Sequence, residues 1–581
     1  MLQATSRKRA LSACAFAASL TLLAGCGGGS DPAPRAEETA TGGEEGGEGS
    51  GEPQGELSIW AGTQSPVNAN FNPFSPAALP GVNGPIFEPL FAYNKADDTE
   101  PEPMLATEAE FNDDGTEMTL KIRPDVRWND GEDFTADDVI FTFTYDLSKP
   151  TYLESAEKVD EETVLLKFDG PQYTQEATIL QKLMIPEHIW GELGDEATET
   201  DDEGALLFLN EDDPVGTGPY MVENLTESAY TMVANEDYWQ EDKPHLERLQ
   251  YLAVDDNQAA EDLLRQGEID WAGMFIPDAD DVTANGYLDM INTPQDPLAI
   301  YTCANEDLGC EGAQTDPAVR QAMHLAIDRA AINDKAFAGH AGVSNPAFTL
   351  PERDDAWVAD GVPDRNPEGA DVDAAKKVLE DEGYELNVEG IYEKDGQAVE
   401  MTLTSVDGWT DYNDAATLIE EQVAKAGIKA TASTISWNEF ADGRETGSFE
   451  LLLGGVVGTQ IADPYQVYAR WFGGEATAPV GDSLEPGTWN FSRYSNREVD
   501  EAIKAAAATI DEDEKKAAYA TIQENIVDDL PYIPILTNST MTFFNANDFT
   551  GWPTEDDLYM FPPPWASISA GVILGNLQVA N

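Results

Sequence analysis

The stretch from Met401 to Thr434 constrains the fold most. Met401–Val406 reads as a strand, Tyr412–Ala426 carries the apolar period of a helix, Gly427 stops it, and Ile428–Thr434 reads as a second strand. Strand, helix and strand in succession imply an α/β lobe with an at least partly parallel sheet. The same texture begins near residue 297, with a strand at Leu298–Ala304 and a helix over Pro317–Ala338. Helices over Arg497–Ala508 and Glu512–Asp529 precede "LPYIPIL", a buried-strand candidate. Folded sequence begins at "ELSIWA". Strand candidates follow at Met118–Ile122 and Val164–Phe168, and Thr135 with Asp138 three residues on predicts a capped helix start behind the "NDG" turn at Asn129–Gly131. "GWPTEDDLYMFPPPW" near the C-terminus reads as irregular packed chain.

A different kind of sequence precedes this region. Arg7, Lys8 and Arg9 form a basic patch ahead of Ala10–Ala24, an apolar run too short for the roughly 20 residues of a membrane span. A basic patch, a short apolar run and small residues read as an export signal over residues 1–25. Leu23, Ala24, Gly25 and Cys26 resemble a bacterial lipoprotein cleavage box, in which Cys26 becomes the lipidated first residue of the mature chain. Residues 26–56 are dense in Gly, Glu and Pro, an acidic tether with too little apolar surface to fold. The expected location is the outer face of the cytoplasmic membrane, reached through the lipid anchor alone.

Acidic residues number 110 against 32 basic ones, and loss of Arg7, Lys8 and Arg9 with the signal takes the formal charge from −78 to −81. Such a field repels phosphate backbones and anionic lipids, which argues against nucleic-acid partners. The excess is spread along the chain, as in a protein adapted to a salty medium. Apolar residues make up 41% of the 581, enough for two or more lobes. Cys14 lies in the signal. Cys303 and Cys310 in "TCANEDLGC" are expected to form a local disulfide, since no nearby Cys or His completes a metal site. Closing so short a loop contributes about 2–3 kcal/mol.

No reaction is legible. "VGTGPY" at Val215–Tyr220 lacks the Lys-Ser/Thr of a phosphate loop, and neither HExxH nor GxSxG occurs. The histidines, His188, His245, His324 and His340, lack ligand spacing. With 110 acids, a carboxylate pair carries no weight as a sign of hydrolysis. The chain is expected not to be an enzyme and to need no cofactor or metal; the competing reading is a surface-anchored hydrolase of a neutral polymer.

Seven ordered blocks do carry information: "IFEPLF" (86–91), "RPDVRWNDGEDFTADDVIFTF" (123–143), "PVGTGPY" (214–220), "NEDYW" (235–239), "DPAVRQAMHLAIDRAAI" (316–332), "YSNREVDEAI" (494–503) and "LPYIPIL" (530–536). In this order they resemble the family 5 extracytoplasmic solute-binding proteins of ABC importers, which include oligopeptide-, dipeptide- and nickel-binding members. The resemblance implies a two-lobed, hinge-connected α/β fold of the periplasmic-binding-protein type (type II, large, with an extra subdomain). Lobe I would comprise residues 57–297 plus 538–581, and lobe II residues 298–537. Implied partners are a small solute and the permease and ATPase subunits, with the protein itself a monomer.

Peptide-binding members commonly place an acid three residues before an Asp-Pro to pair with the ligand's amino terminus. Here that position is Gln460 in "GTQIADPYQVY", with Asp463 as the acid if the alignment shifts. A neutral amide does not neutralise an ammonium, which counts against free peptides. "GWPTEDDLY" resembles the tail of cellobiose-type members, and sugar rings rest on indoles. Trp409, Trp437, Trp471 and Trp552 are therefore candidates, with Asn72 and Phe74 added by family position. Short oligosaccharide is expected slightly ahead of oligopeptide. Nickel and haem are not expected, for want of a His or Met cluster.

Overall fold

Leu57 and Ile59, alternating within "ELSIW", are buried in the strand Glu56–Trp60, the middle strand of the first sheet. The computed structural model of the chain describes residues 53–580 except 76–77, 198–207, 212, 255–256, 285, 460 and 485–487. The signal, Cys26 and nearly all of the tether therefore lie outside the described residues.

Seven strands form this sheet, in the order Leu288–Asn292, Met541–Asn545, Trp271–Gly273, Glu56–Trp60, Arg248–Leu252, Ala229–Ala234, Tyr220–Leu225. Glu56–Trp60 runs parallel to both neighbours, whereas the late strand Met541–Asn545 inserts antiparallel to both of its own. A second, five-stranded sheet has the order Lys429–Ile435, Glu400–Val406, Leu451–Gly455, Pro297–Thr302, Tyr532–Thr537. Its first three strands are parallel, the crossover between Glu400–Val406 and Lys429–Ile435 being the helix Thr410–Lys425, as the strand-helix-strand succession implies. Pro297–Thr302 runs antiparallel to both flanking strands, so the sheet is mixed. Leu298 and Ile300 are wholly buried there, at about 1.5–3 kcal/mol for each such side chain.

The chain passes between these sheets twice, at residues 293–296 and 538–540. The passages hold each other: Thr293 donates its backbone N–H to Thr540 O (2.9 Å) and Asn538 to Asp296 O (2.8 Å). A third, four-stranded antiparallel sheet, Ala106–Phe111, Glu117–Ile122, Thr163–Phe168 and Leu153–Asp160, has its own core around Met118, Leu120, Trp128 and Phe143. The helix Ala136–Thr144 packs on that core. Thr135 accepts from the first turn, and Asp138 accepts from the Thr135 N–H at 2.8 Å.

One expectation changes on contact with the structure. The single helix over Pro317–Ala338 is two, Pro317–Ala326 and Arg329–Ala336. Ile327 turns extended, and Asp328 caps a new helix by accepting from Ala331 N at 2.9 Å. The break lets Arg329 donate to Pro534 O in the neighbouring strand. In "VGTGPY" the glycines serve close approach, because a Cβ on Gly216 or Gly218 would lie about 2.1–2.2 Å from the Ile86 and Pro85 carbonyl oxygens.

Candidate functional site

Open α/β sheets bind ligands beyond the carboxyl ends of their strands. In the second sheet the parallel strands Glu400–Val406, Lys429–Ile435 and Leu451–Gly455 deliver three loops to one edge. The first loop ends at Trp409, and in the second Ser436 caps the helix Trp437–Thr446 reciprocally with Glu439. These caps set two indoles side by side, Trp409 lying 5.7 Å from Trp437 and 5.8 Å from Phe440. Trp409 is half-buried, while Trp437 remains 47% exposed, the open face of an otherwise packed aromatic cluster.

The third loop leaves Gly455 and reaches across to the first lobe. Gly458 donates its backbone N–H to Asp296 (3.0 Å). Arg353 donates to Thr459 O, Thr459 Oγ1 and the Lys95 carbonyl oxygen of lobe I (2.8 Å), and its charge is met by buried Asp354. Asp463 ends the loop as an anchor: it accepts from the Tyr519 hydroxyl (2.5 Å) and the Tyr465 N–H, and it pairs with Lys515 (2.9 Å). A short turn, Tyr465–Val467, and a π-helical turn, Tyr468–Phe472, follow, a geometry frequent at functional sites.

Gln466 and Arg470, four residues apart on these turns, line a cavity of about 450 Å³ between the lobes. Its lobe I wall comes from the short helix Glu176–Leu180, through Ala177 and Thr178, and from the aromatic tail, through Phe561, Trp565 and the turn to Ser569. Small-molecule sites occupy about 300–1,000 Å³. Gln466 Nε2 donates to Thr178 Oγ1 across the gap (3.3 Å). Phe561 and Trp565 meet edge-on at 5.6 Å, with Trp565 44% exposed. Lys95 Nζ sits 5.3 Å over the Phe561 ring and pairs with Asp296 at 3.3 Å. A smaller recess of about 140 Å³ adjoins the cavity at Ala177 and Gln466 and holds Glu176, Asp463 and Lys515. Burial pushes the Glu176 carboxyl up, against the pull of Lys515.

The structure separates the sequence candidates. Trp471 is buried away from the cavity that its neighbour Arg470 lines, packed against Tyr301, Phe491 and Tyr532. Trp552 is buried against Trp271 and Phe544 and donates Nε1–H to Asn545 O. Asn72 is a wholly buried turn-former, donating to Phe208 O and accepting from Phe74 N, and Phe74 packs on Trp190. Trp471, Trp552 and Asn72 are buried and Phe74 is partly so, and none of the four lines the interlobe cavity. Trp409 and Trp437 lie at the strand-end edge and Asp463 in the adjoining recess. Gln460 lies outside the described residues. Cys303 and Cys310 are joined by a disulfide.

Sequence reasoning missed Gln466, Arg470, Thr178, Phe561 and Trp565. The available signal for Arg470 was its charge, as the sole cation between Asp463 and Asp482. Trp565 follows three prolines in a tail that reads as packing. Among the described residues no cluster of His, Cys, Asp or Glu could hold a metal, and no helix is long and apolar enough to cross a membrane.

Residues 100–479 match the family described as bacterial extracellular solute-binding proteins, family 5 Middle. The oligopeptide-binding protein AppA of Bacillus subtilis is 27% identical over 452 residues, covering 74% of this chain and 76% of its own. Protein XP55 of Streptomyces lividans is 28% identical over 491 residues, covering 81% and 82%. Among solved structures, a periplasmic oligopeptide-binding protein of an oligopeptide ABC transporter from Thermotoga maritima, bound to mannohexaose, superposes with a TM-score of 0.75 at 28% identity. The superposition covers 91% of this chain and 99% of that one.

Proposed function

The chain belongs to the bacterial extracellular solute-binding proteins of family 5, and from that premise we propose that it is the receptor of an ABC importer for a short oligomeric solute, with oligosaccharide ahead of oligopeptide. The observation that carries this reading is the interlobe cavity, which joins an aromatic wall on lobe I, Phe561 and Trp565, to amide and guanidinium groups on lobe II, Gln466 and Arg470. Apolar faces for ring stacking beside directional polar groups are what a saccharide needs. The partly exposed Trp437 and its neighbour Trp409 offer a second stacking surface on the sheet edge that carries the Val456–Asp463 loop. Gln460, an amide in that loop, suits a hydroxyl better than an ammonium.

The mechanism is hinge closure. The paired passages at 293–296 and 538–540 are the only covalent links between the two sheets among the described residues, so rotation is absorbed there. Closure follows ligand only if the closed state binds it better, since equal affinity shifts nothing. Gln466–Thr178, Arg353–Lys95 and Gly458–Asp296 are among the direct contacts between the lobes. The permease and ATPase subunits would read the closed form. Lipidation at Cys26, with residues 26–56 as leash, would hold a monomeric receptor near its translocator at high effective concentration.

The relatives reported above by function are binding proteins of transporters, which supports a non-enzymatic role. A thermal-shift panel in high salt, with cello-, xylo-, malto- and manno-oligosaccharides beside di- to pentapeptides, tests the proposal. The expected result is stabilisation by a saccharide series, with the ligand recovered intact at one-to-one stoichiometry. Stabilisation by peptides alone would remove the saccharide preference, and release of reducing ends or new amines would establish a hydrolase instead.

A further inference from the structure

The interlobe cavity departs from the rest of the molecule in charge. Acidic residues outnumber basic ones 110 to 32 along the chain, yet the described residues lining this cavity include Lys95 and Arg470 and no Asp or Glu. Lys95 has its counter-ion in Asp296, 3.3 Å away. Arg470 has none among the described residues. Its guanidinium lies 5.0 Å over the Trp489 ring, half-buried, where burial pulls its basicity down and Tyr152 pulls it back up.

Most of the chain's other buried arginines are held by oxygens, Arg444 being an exception that stacks over Trp437 and Phe491 with its buried Nε–H unpartnered, away from this cavity. Arg353 meets Asp354 and Thr459; Arg320 donates to the Gln314, Thr315 and Asp529 carbonyl oxygens; Arg329 donates to Pro534 O. Among the described residues no carboxylate pairs with the Arg470 guanidinium, and a carboxylate is the planar acceptor that fits its fork. The recess containing Glu176 and Asp463 shares only Ala177 and Gln466 with the cavity, and Arg470 does not line it.

We infer that the captured solute carries a carboxylate and that this carboxylate docks on Arg470 as the lobes close. The inference rests on the receptor reading above and narrows its substrate class from oligomers in general to acidic ones. Uronic-acid-bearing oligosaccharides and peptides with a free C-terminus both supply the group.

Titration calorimetry in high salt with matched pairs tests it: trigalacturonate against its methyl ester, and a tripeptide against its C-terminal amide. Each is measured on the wild-type protein, Arg470→Gln and Arg470→Lys. The expected result is that the free acid of one pair binds wild type at least tenfold more tightly than its neutral partner. Arg470→Gln should erase that difference by weakening the acid alone, and Arg470→Lys should restore part of it. The pair that responds identifies sugar acid or peptide. Equal binding of acid and neutral partner, unchanged in Arg470→Gln, overturns the inference and leaves the receptor reading intact. Absence of binding by all four compounds and by the neutral oligosaccharides of the thermal panel overturns both. Should Arg470→Gln melt well below wild type, the comparison of Arg470→Lys with wild type decides, since both keep the charge and only Arg470 offers the planar fork.

Discussion

Glu88 shows how much one side chain can impose. It is wholly buried, accepting from the Tyr238 hydroxyl (2.7 Å) and Trp239 Nε1 (3.0 Å), while Arg123 stacks 4.4 Å over the Trp239 ring. Burial nevertheless wins over these partners and pushes the carboxyl from its ordinary 4.5 up to about 7. The folded protein then holds a proton that the unfolded chain releases, so this contribution is full below about pH 4.5 and is lost as pH rises through about 7. The span corresponds to roughly 3 kcal/mol. Glu88→Gln should accordingly gain stability relative to wild type between pH 5 and pH 8, read as a widening gap in urea midpoints; a constant gap would refute the assignment. Single side chains also set the limits of reading from sequence. An indole that packs a core and one that faces a cleft have the same local neighbours in sequence, which is why Trp471 and Trp552 read as ligand contacts while Trp565 reads as packing. Only the long-range arrangement assigns them. If the solute is a saccharide, Trp437→Ala and Trp565→Ala should each weaken it by about 0.5–1.5 kcal/mol, roughly two- to tenfold, with little change in melting temperature because both rings are partly exposed.

Elements whose determinants lie within a few residues are legible; those decided by a distant partner are not. The capped helix start at Thr135 needs only Thr135 and Asp138, and both bonds form. The crossover from Met401 to Thr434 needs only its own periodicity, and its two strands do pair in parallel. The break at Ile327–Asp328 escapes such reading because "HLAIDRAAI" keeps helical spacing throughout. What breaks it is tertiary: Gln422 on the facing helix accepts from Asp328 N (2.8 Å) and donates to Asp328 O (3.1 Å), while Arg329 is claimed by Pro534 O. Asp328→Ala should therefore remove the second helix's cap and cost about 1 kcal/mol. The check is a lower denaturant midpoint at unchanged slope, since a changed slope would mean that the denatured or native state had itself altered. The cavity is the extreme case, since Thr178, Gln466 and Trp565 come from three separated segments and no one of them reports the others.

At the scale of the whole molecule, nearly all of the formal charge of −78 must be carried by the folded region from Leu57 onward. Many of the ion pairs are surface pairs such as Lys504–Glu475 and Lys377–Asp381, both largely exposed and each worth little. Self-repulsion among the remaining acids opposes compaction, and salt relieves it over a characteristic distance of about 10 Å at 0.1 M and 3 Å at 1 M. The relief should therefore be steep at first and nearly complete by about 1 M, where the screening length is shorter than the spacing of most surface charges. A rise in Tm that continues in proportion to salt well beyond that concentration would instead mark exclusion of the salt from the protein surface, which strengthens apolar burial and does not saturate in the same way. Melting curves in sodium chloride from about 0.05 to 3 M separate the two, and a parallel series in sodium sulfate at matched ionic strength sharpens the distinction. Screening predicts that the two salts coincide in the low range, because only ionic strength enters; exclusion predicts that sulfate stabilises more throughout. A Tm that is flat or falling with sodium chloride below 1 M would show that the acidic surface carries no net repulsive cost, and that the charge excess must be explained by something other than life in a concentrated medium.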